Sequence, residues 1–328
     1  MIKPFLKFLM RGYASTIGWQ SIKKGDKKLI VLMYHRVLPK DDNRYQFEEP
    51  GMVVSEHTFA MHMRMLNDMQ LPVVLASDWV TMSDEERPQV AVAITFDDGW
   101  LDNYQFAFPV LKQYEFPSTL FVVSDFLNMP APFWPNKVLR LLLTPGLKPD
   151  NSWHALMQLT GPIPRLPLTR DAAASVIDSL KHYGDDDIYK RLKPLAPLLE
   201  KHTQTEMISQ AQLTYAMKNY GVELGCHTRR HYRLVNGLSE ELLQEEIIGS
   251  KQKLELANNV EIKAFCFPNG DFSAQAHAMV KKHYQCAVTT MRGINTNNSD
   301  VSKLVRIGVH DDISNTPMKF KAKLAGFR

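Results

Sequence analysis

Seven short runs of nearly continuous apolar residues, all but one ended by a polar residue, constrain this chain more than any other feature. They are 29–34 before His35, 90–96 before Asp97, 119–123 before Ser124, 222–226 before His227, 264–267 before Pro268, 286–288 before Thr289 and 304–309 before His310. A strand with one wet face alternates apolar and polar residues. Short continuous runs are the pattern of parallel strands covered on both faces. Helical stretches lie between them. Over 58–69, Phe59, Met63 and Leu66 recur at helical spacing. Ser239 stands as an N-cap before Glu240, Glu241 and the apolar Leu242, Leu243, Ile247 and Leu254. Strand and helix in repeated alternation make an α/β chain with a parallel sheet.

The run ends choose between an open sheet and a closed barrel. Histidines or carboxylates finish at least four of them, and a barrel brings all such ends to one mouth, whereas an open sheet gathers only those at its switch point. No glycine-rich phosphate loop follows the first run, where Tyr34-His35-Arg36-Val37 stands instead. The expected fold is a distorted (β/α)7-type barrel over 29–328. Its rhythm breaks at about 130–215, where helix-like pieces at 137–143, 171–182 and 205–220 predict a mostly helical insertion beside the catalytic face.

Composition serves mainly to exclude. Hydrophobic residues at 45% and charged residues at 23% are those of a globular chain, and a net charge of +4 is too small to point to nucleic acid. Three cysteines make no disulfide framework and suit a reducing compartment. No apolar run is long enough to cross a bilayer. The charge is uneven, however. Residues 1–28 carry Lys3, Lys7, Arg11, Lys23, Lys24, Lys27 and Lys28 against Asp26 alone, a net of +6 that leaves −2 for the rest. On a helical wheel Ile2, Phe5, Leu6, Leu9, Tyr13 and Ile17 share one face and Lys3, Lys7 and Arg11 the other. Such a segment either lies on anionic lipid or docks on its own domain. Pro4, Lys7 and Arg11 interrupt it as a signal peptide, so a cytoplasmic protein with peripheral membrane contact through residues 1–20 is expected.

Two segments carry chemistry. In Thr95-Phe96-Asp97-Asp98-Gly99-Trp100, two adjacent carboxylates meet at a strand end, where they repel one another unless a cation or donor intervenes. By itself Asp-Asp-Gly is a common turn or cap. In His227-Thr228-Arg229-Arg230-His231, two imidazoles stand at the i, i+4 spacing of one face of a helical turn. One carboxylate and two histidines make a three-ligand metal site with a position open for water, and the spare aspartate is then a general base.

These residues resemble the polysaccharide deacetylase family (NodB homology domain, carbohydrate esterase family 4). Further likeness lies in Met33-Tyr34-His35-Arg36-Val37, Asp102-Asn103-Tyr104 and Pro117-Ser118-Thr119-Leu120-Phe121. Phe265-Cys266-Phe267-Pro268-Asn269-Gly270 is similar to the third motif in a Phe-x-Phe-Pro-Asn-Gly variant. The resemblance covers roughly residues 30 to 310 outside the insertion. It implies hydrolysis of an acyl amide, usually the N-acetyl group of an amino sugar. Asp97 would be the base, Asp98, His227 and His231 the metal ligands, and the backbone N–H around Asn269, after Pro268, the oxyanion donor. Zn²⁺ is expected, and Co²⁺, Ni²⁺ or Mn²⁺ suit the same donors.

Three departures follow. Cys266 stands where fuller third motifs carry the arginine that holds the base, so Arg306 or Arg292 is expected to replace it. No Asp-x-x-Asp-Trp segment is present. The resemblance implies a histidine acid at a strand end, for which His310 is expected ahead of His35. Trp100 and Phe133-Trp134 offer faces to sugar rings or to the core, and Cys226 and Cys266 are expected to pack as small hydrophobes. The substrate is expected to be a polysaccharide or a lipid-linked glycan precursor. A deformylase or other amidase on the same scaffold, and a non-catalytic glycan-binding relic, are the alternatives.

Overall fold

The computed structural model describes residues 10–129, 133–163, 165–201 and 205–327. All seven apolar runs form strands: β1 Lys28–Tyr34, β2 Val90–Phe96, β3 Ser118–Val122, β4 Val222–Cys226, β5 Ala264–Cys266, β6 Cys286–Arg292 and β7 Leu304–Gly308. Each pairs in parallel with the next, and β7 returns to β1, closing a seven-stranded barrel with helices around it. The closure is uneven. β1 meets β7 only at Leu32 and Met33, while the two-residue strand Asn295–Thr296 runs antiparallel beside Lys28 and Leu29.

Alternation along the strands sorts their side chains. Leu29, Val31, Ala91, Ala93, Phe121 and Val288 pack together inside the barrel, and Ile30, Leu32, Val92, Ile94 and Phe96 face the surrounding helices. Gly225 on β4 makes room for Phe121, whose ring would lie 2.4 Å from a Cβ there. Trp79, on the helix Ala76–Thr81, joins the inner cluster. Ser77 of that helix hydrogen-bonds Glu223 near the start of β4, so the helix covers the N-terminal end of the barrel. At the other end the same inward parity reaches His35, Thr95, Asp97 and Arg306.

Helix Glu56–Asp68 is capped by Ser55 and buries Phe59, Met63 and Leu66, as their spacing predicts. It also buries His62, whose Nε2 lies 2.8 Å from the Ser314 carbonyl and whose Nδ1 lies 3.0 Å from the Tyr34 hydroxyl. Its ring stacks on Phe320 at 3.9 Å. Burial pushes its pKa down to about 4. The unfolded chain therefore binds this proton first, and His62 contributes stability that is present above its ordinary pKa and lost as pH falls toward 4. Between pH 7 and pH 5 the loss is about 2 kcal/mol from this one group. Urea unfolding at the two pH values measures it, and His62→Gln is expected to flatten the difference.

The helices Trp134–Leu143, His154–Thr160, Arg170–Leu180, Asp185–Leu192 and Ala196–Lys201 pack on a core of their own that includes Leu142, Trp153, Ile177 and Ile188. The next helix, Gln210–Tyr220, packs Leu213 and Ala216 into the main core instead. Residues 10–22 are helical, with a π-turn over Ala14–Gly18. No helix of the described residues is long and apolar enough to cross a membrane.

Candidate active site

Strand register assembles the site. Tyr34 pairs with Phe96, so His35 and Asp97 emerge side by side. Val122 pairs with Cys226, which pairs in turn with Phe265, and this carries His227 to the same rim beside Cys266.

Asp97 points inward by parity. Arg306 Nη1 and Nη2 donate to its two oxygens at 2.7 Å each, a bidentate clamp. Arg306 is itself fixed, donating from Nε to the Thr289 carbonyl at 2.8 Å and contacting the Thr95 hydroxyl and the Cys266 thiol. Burial by itself would raise the pKa of Asp97, but Arg306 outweighs it and holds the group below the usual carboxylate value. His35 Nε2 lies 3.7 Å from Asp97 Oδ2. Burial lowers the pKa of His35 against the opposing pull of Asp97 and Asp98.

Asp98 leaves the strand with φ 77°, and Gly99 follows at 85°. This left-handed pair, rather than alternation, turns the second carboxylate toward the histidines. Asp98 Oδ1 lies 3.3 Å from His227 Nε2 and 3.4 Å from His231 Nε2, and Oδ2 accepts from Trp100 Nε1 at 2.9 Å. Burial would raise the pKa of Asp98, yet the two histidines hold it well below the ordinary value. Burial also disfavours a charged His227, but Cys266, Asp98 and Asp97 outweigh it and raise its pKa well above normal. The pocket is built to hold positive charge between these groups. His227 Nδ1 sits 2.8 Å from the Cys266 carbonyl, which makes Nδ1 a donor and turns Nε2 toward Asp98.

The two histidines do not share a helical turn, as their spacing had suggested. Residues 227–231 form a loop in which Thr228 and His231 both have φ near +60°. Buried Glu246 holds this loop, accepting from the Arg229 and Arg230 amides at 3.0 and 2.9 Å and from Arg230 Nε at 2.8 Å. Phe133, at the start of the insertion, stacks on His231 with 4.7 Å between ring centres.

Other expected residues fall less simply. Trp100 is 1% exposed, so its face is closed to a sugar. It supports Asp98 from below, with Phe133 edge-on and the Arg36 guanidinium 4.2 Å from its ring centre. Pro268 is buried and Asn269 is exposed, the latter left-handed at φ 53° with its carbonyl accepting from the Thr290 hydroxyl at 2.9 Å. Gly270 must follow, since a Cβ there would meet Thr290 Oγ1 at 2.1 Å. Cys266 is no simple packing residue, for its thiol lies 3.2 Å from Arg306. His310 stands level with His35 in register, because Gly308 pairs with Met33. Its ring, however, turns to Asp312 at 3.2 Å and borders a surface hollow with Gly51 and Arg170. The structure thus places His35 beside Asp97 and turns His310 to Asp312. Arg292 lies at the far end of β6 and donates to the Gly326 carbonyl.

Sequence reading missed a buried charge cluster beneath this floor. Arg36 binds Asp102 through Nε at 2.9 Å, Glu206 at 2.6 Å, and Glu48, while Arg140 pairs with Glu206. Arg36 and Asp102 stood in motifs that marked them. Glu48 and Glu206 carried no local signal. Burial, Glu206 and Asp102 push Glu48 up to about 7 against Arg36, so the cluster sheds surplus negative charge by holding a proton near neutrality.

The Asp98–His227–His231 group fits a metal. Donors about 2.0–2.1 Å from a four-coordinate cation lie roughly 3.3–3.4 Å from one another. The observed separations have that length, and they are long for hydrogen bonds. The three donor atoms lie within 4.8 Å of one another.

Comparison with known proteins agrees with this geometry. The family described as polysaccharide deacetylase matches residues 84–147 and 192–287, which include both aspartates, both histidines and the Pro268–Gly270 turn. YxkH of Bacillus subtilis, itself assigned to the polysaccharide deacetylases, is 23% identical over 302 residues, covering 91% of this chain and 77% of its own. The Streptococcus pyogenes deacetylase PplD, solved in complex with acetate, superposes with a TM-score of 0.60 at 18% identity over 89% of this chain and 96% of its own. IcaB from Ammonifex degensii gives 0.58 at 20% identity over 92% and 98%. The two superpositions show a shared fold. The family match places the likeness to polysaccharide deacetylases on the residues that form the site.

Proposed function

We propose that the chain is a metal-dependent hydrolase that removes the N-acetyl group from an amino sugar in a polysaccharide or a lipid-linked glycan precursor. The observation that carries this reading is Asp98 set between two imidazoles at metal-ligand spacing, beside an aspartate kept ionised by Arg306.

Asp98, His227 and His231 would hold a divalent cation, Zn²⁺ first and Co²⁺, Ni²⁺ or Mn²⁺ on the same donors, which would lower the pKa of a water and polarise the acetyl oxygen. Asp97 accepts the proton of the attacking water. The Arg306 clamp costs Asp97 some basicity and in exchange fixes its orientation, which is what positioned catalysis requires. The Asn269 N–H donates to the oxyanion of the tetrahedral intermediate. His35 supplies the proton that the departing amine needs, a role supported by its place beside Asp97. Phe133 and Trp100 shield His231 and Asp98 from bulk water.

The test is product analysis with an N-acetylglucosamine oligomer, its N-formyl counterpart and a lipid-linked N-acetylhexosamine. Acetate release that stops with a chelator and returns with Zn²⁺ is expected. Formate alone would make the chain a deformylase, and neither product would leave a glycan-binding relic.

A further inference from the structure

Among the described residues the N-terminal helix leaves an apolar stripe exposed. Residues 1–9 lie outside the described residues, and with them most of the wheel face noted above. Within 10–22 the helix docks through Ala14, Ser15, Trp19 and Ile22, all buried. Met10, Tyr13 and Ile17 point away from that contact and are 48%, 62% and 58% exposed. Docking on its own domain and keeping a free apolar face are therefore both satisfied, by different sides of one helix. Beside the stripe, Ala325, Gly326 and Phe327 complete an apolar hollow of about 470 Å³.

We infer that this face binds the surface of a membrane rich in anionic lipid. Charge complementarity names the occupant. The segment 1–28 holds +6 while the remaining residues sum to −2, with Arg11 on the helix, Lys23 at its C-terminal cap and Lys24 next to it. Apolar side chains with basic neighbours and no spanning length are the requirements of an interfacial helix. A second copy of the chain fits poorly, because two such segments repel and three side chains fall short of a stable dimer interface. This inference stands apart from the deacetylase reading, since no residue of the active site takes part.

The test is sedimentation of the full chain with phosphatidylcholine vesicles and with vesicles carrying phosphatidylglycerol. Binding to the anionic vesicles only, weakened by salt, is expected. A Tyr13→Ser, Ile17→Ser double variant should bind about tenfold more weakly or less, and Lys23→Glu, Lys24→Glu likewise. Both should keep the wild-type circular dichroism and hydrolase activity on a soluble oligomer, because the altered positions are exposed. Equal partition of the double variant and the wild type, or a wild type that stays in the supernatant at low salt, overturns the inference. So does self-association that the same double variant abolishes.

Discussion

Asp97→Asn is expected to lower kcat for acetyl release by about 10³-fold, within the range a positioned general base contributes. Metal content should stay at the wild-type level. The two readouts separate because the proposed donors are Asp98, His227 and His231, while both oxygens of Asp97 are taken by Arg306. The amide keeps an oxygen for Arg306 but gives up the charge, so the buried guanidinium loses its counter-ion and the variant also loses stability. Measuring kcat and metal on the same folded sample, below its unfolding temperature, isolates the chemical effect. A variant within tenfold of wild type would remove Asp97 from the base role.

The second large effect lies below the site. Arg36→Met is expected to destabilise the chain by about 3–5 kcal/mol, the cost of leaving buried carboxylates without their cation. Asp102, Glu48 and Glu206 all converge on this one side chain, and Arg140 reaches only Glu206. Urea unfolding gives the magnitude. Adding Glu48→Gln should recover part of the loss, since it removes one of the stranded charges. A loss below about 1 kcal/mol would mean that the carboxylates simply take up protons and the cluster contributes little. Trp100 rests on Arg36 and holds Asp98, so metal affinity should weaken in the same variant.

The sequence made the barrel legible because its strands are covered on both faces, and continuous apolar runs follow directly from that. The two-residue strand Asn295–Thr296 left no such trace, since polar residues that short have no periodicity to read. Asp97 continues the inward parity of its strand, whereas Asp98 takes its orientation from a left-handed backbone at a residue other than glycine, which no local pattern announces. The histidine loop misled for the same reason, as Thr228 and His231 adopt positive φ without a glycine to announce it. His35 and His310 both end strands that pair with each other, so sequence alone gave no way to tell which ring would turn to Asp97. Glu206 reaches Arg36 from a distant part of the chain, and only tertiary structure shows that it, Glu48 and Glu246 are buried.

The central claim is that Asp98, His227 and His231 together hold one cation. Its most direct test is metal analysis of the wild-type chain and of His227→Ala after equilibration with Zn²⁺ and gel filtration. About one metal per wild-type chain and almost none in the variant is the predicted result. A His227→Ala protein that retains as much metal as the wild type would contradict it.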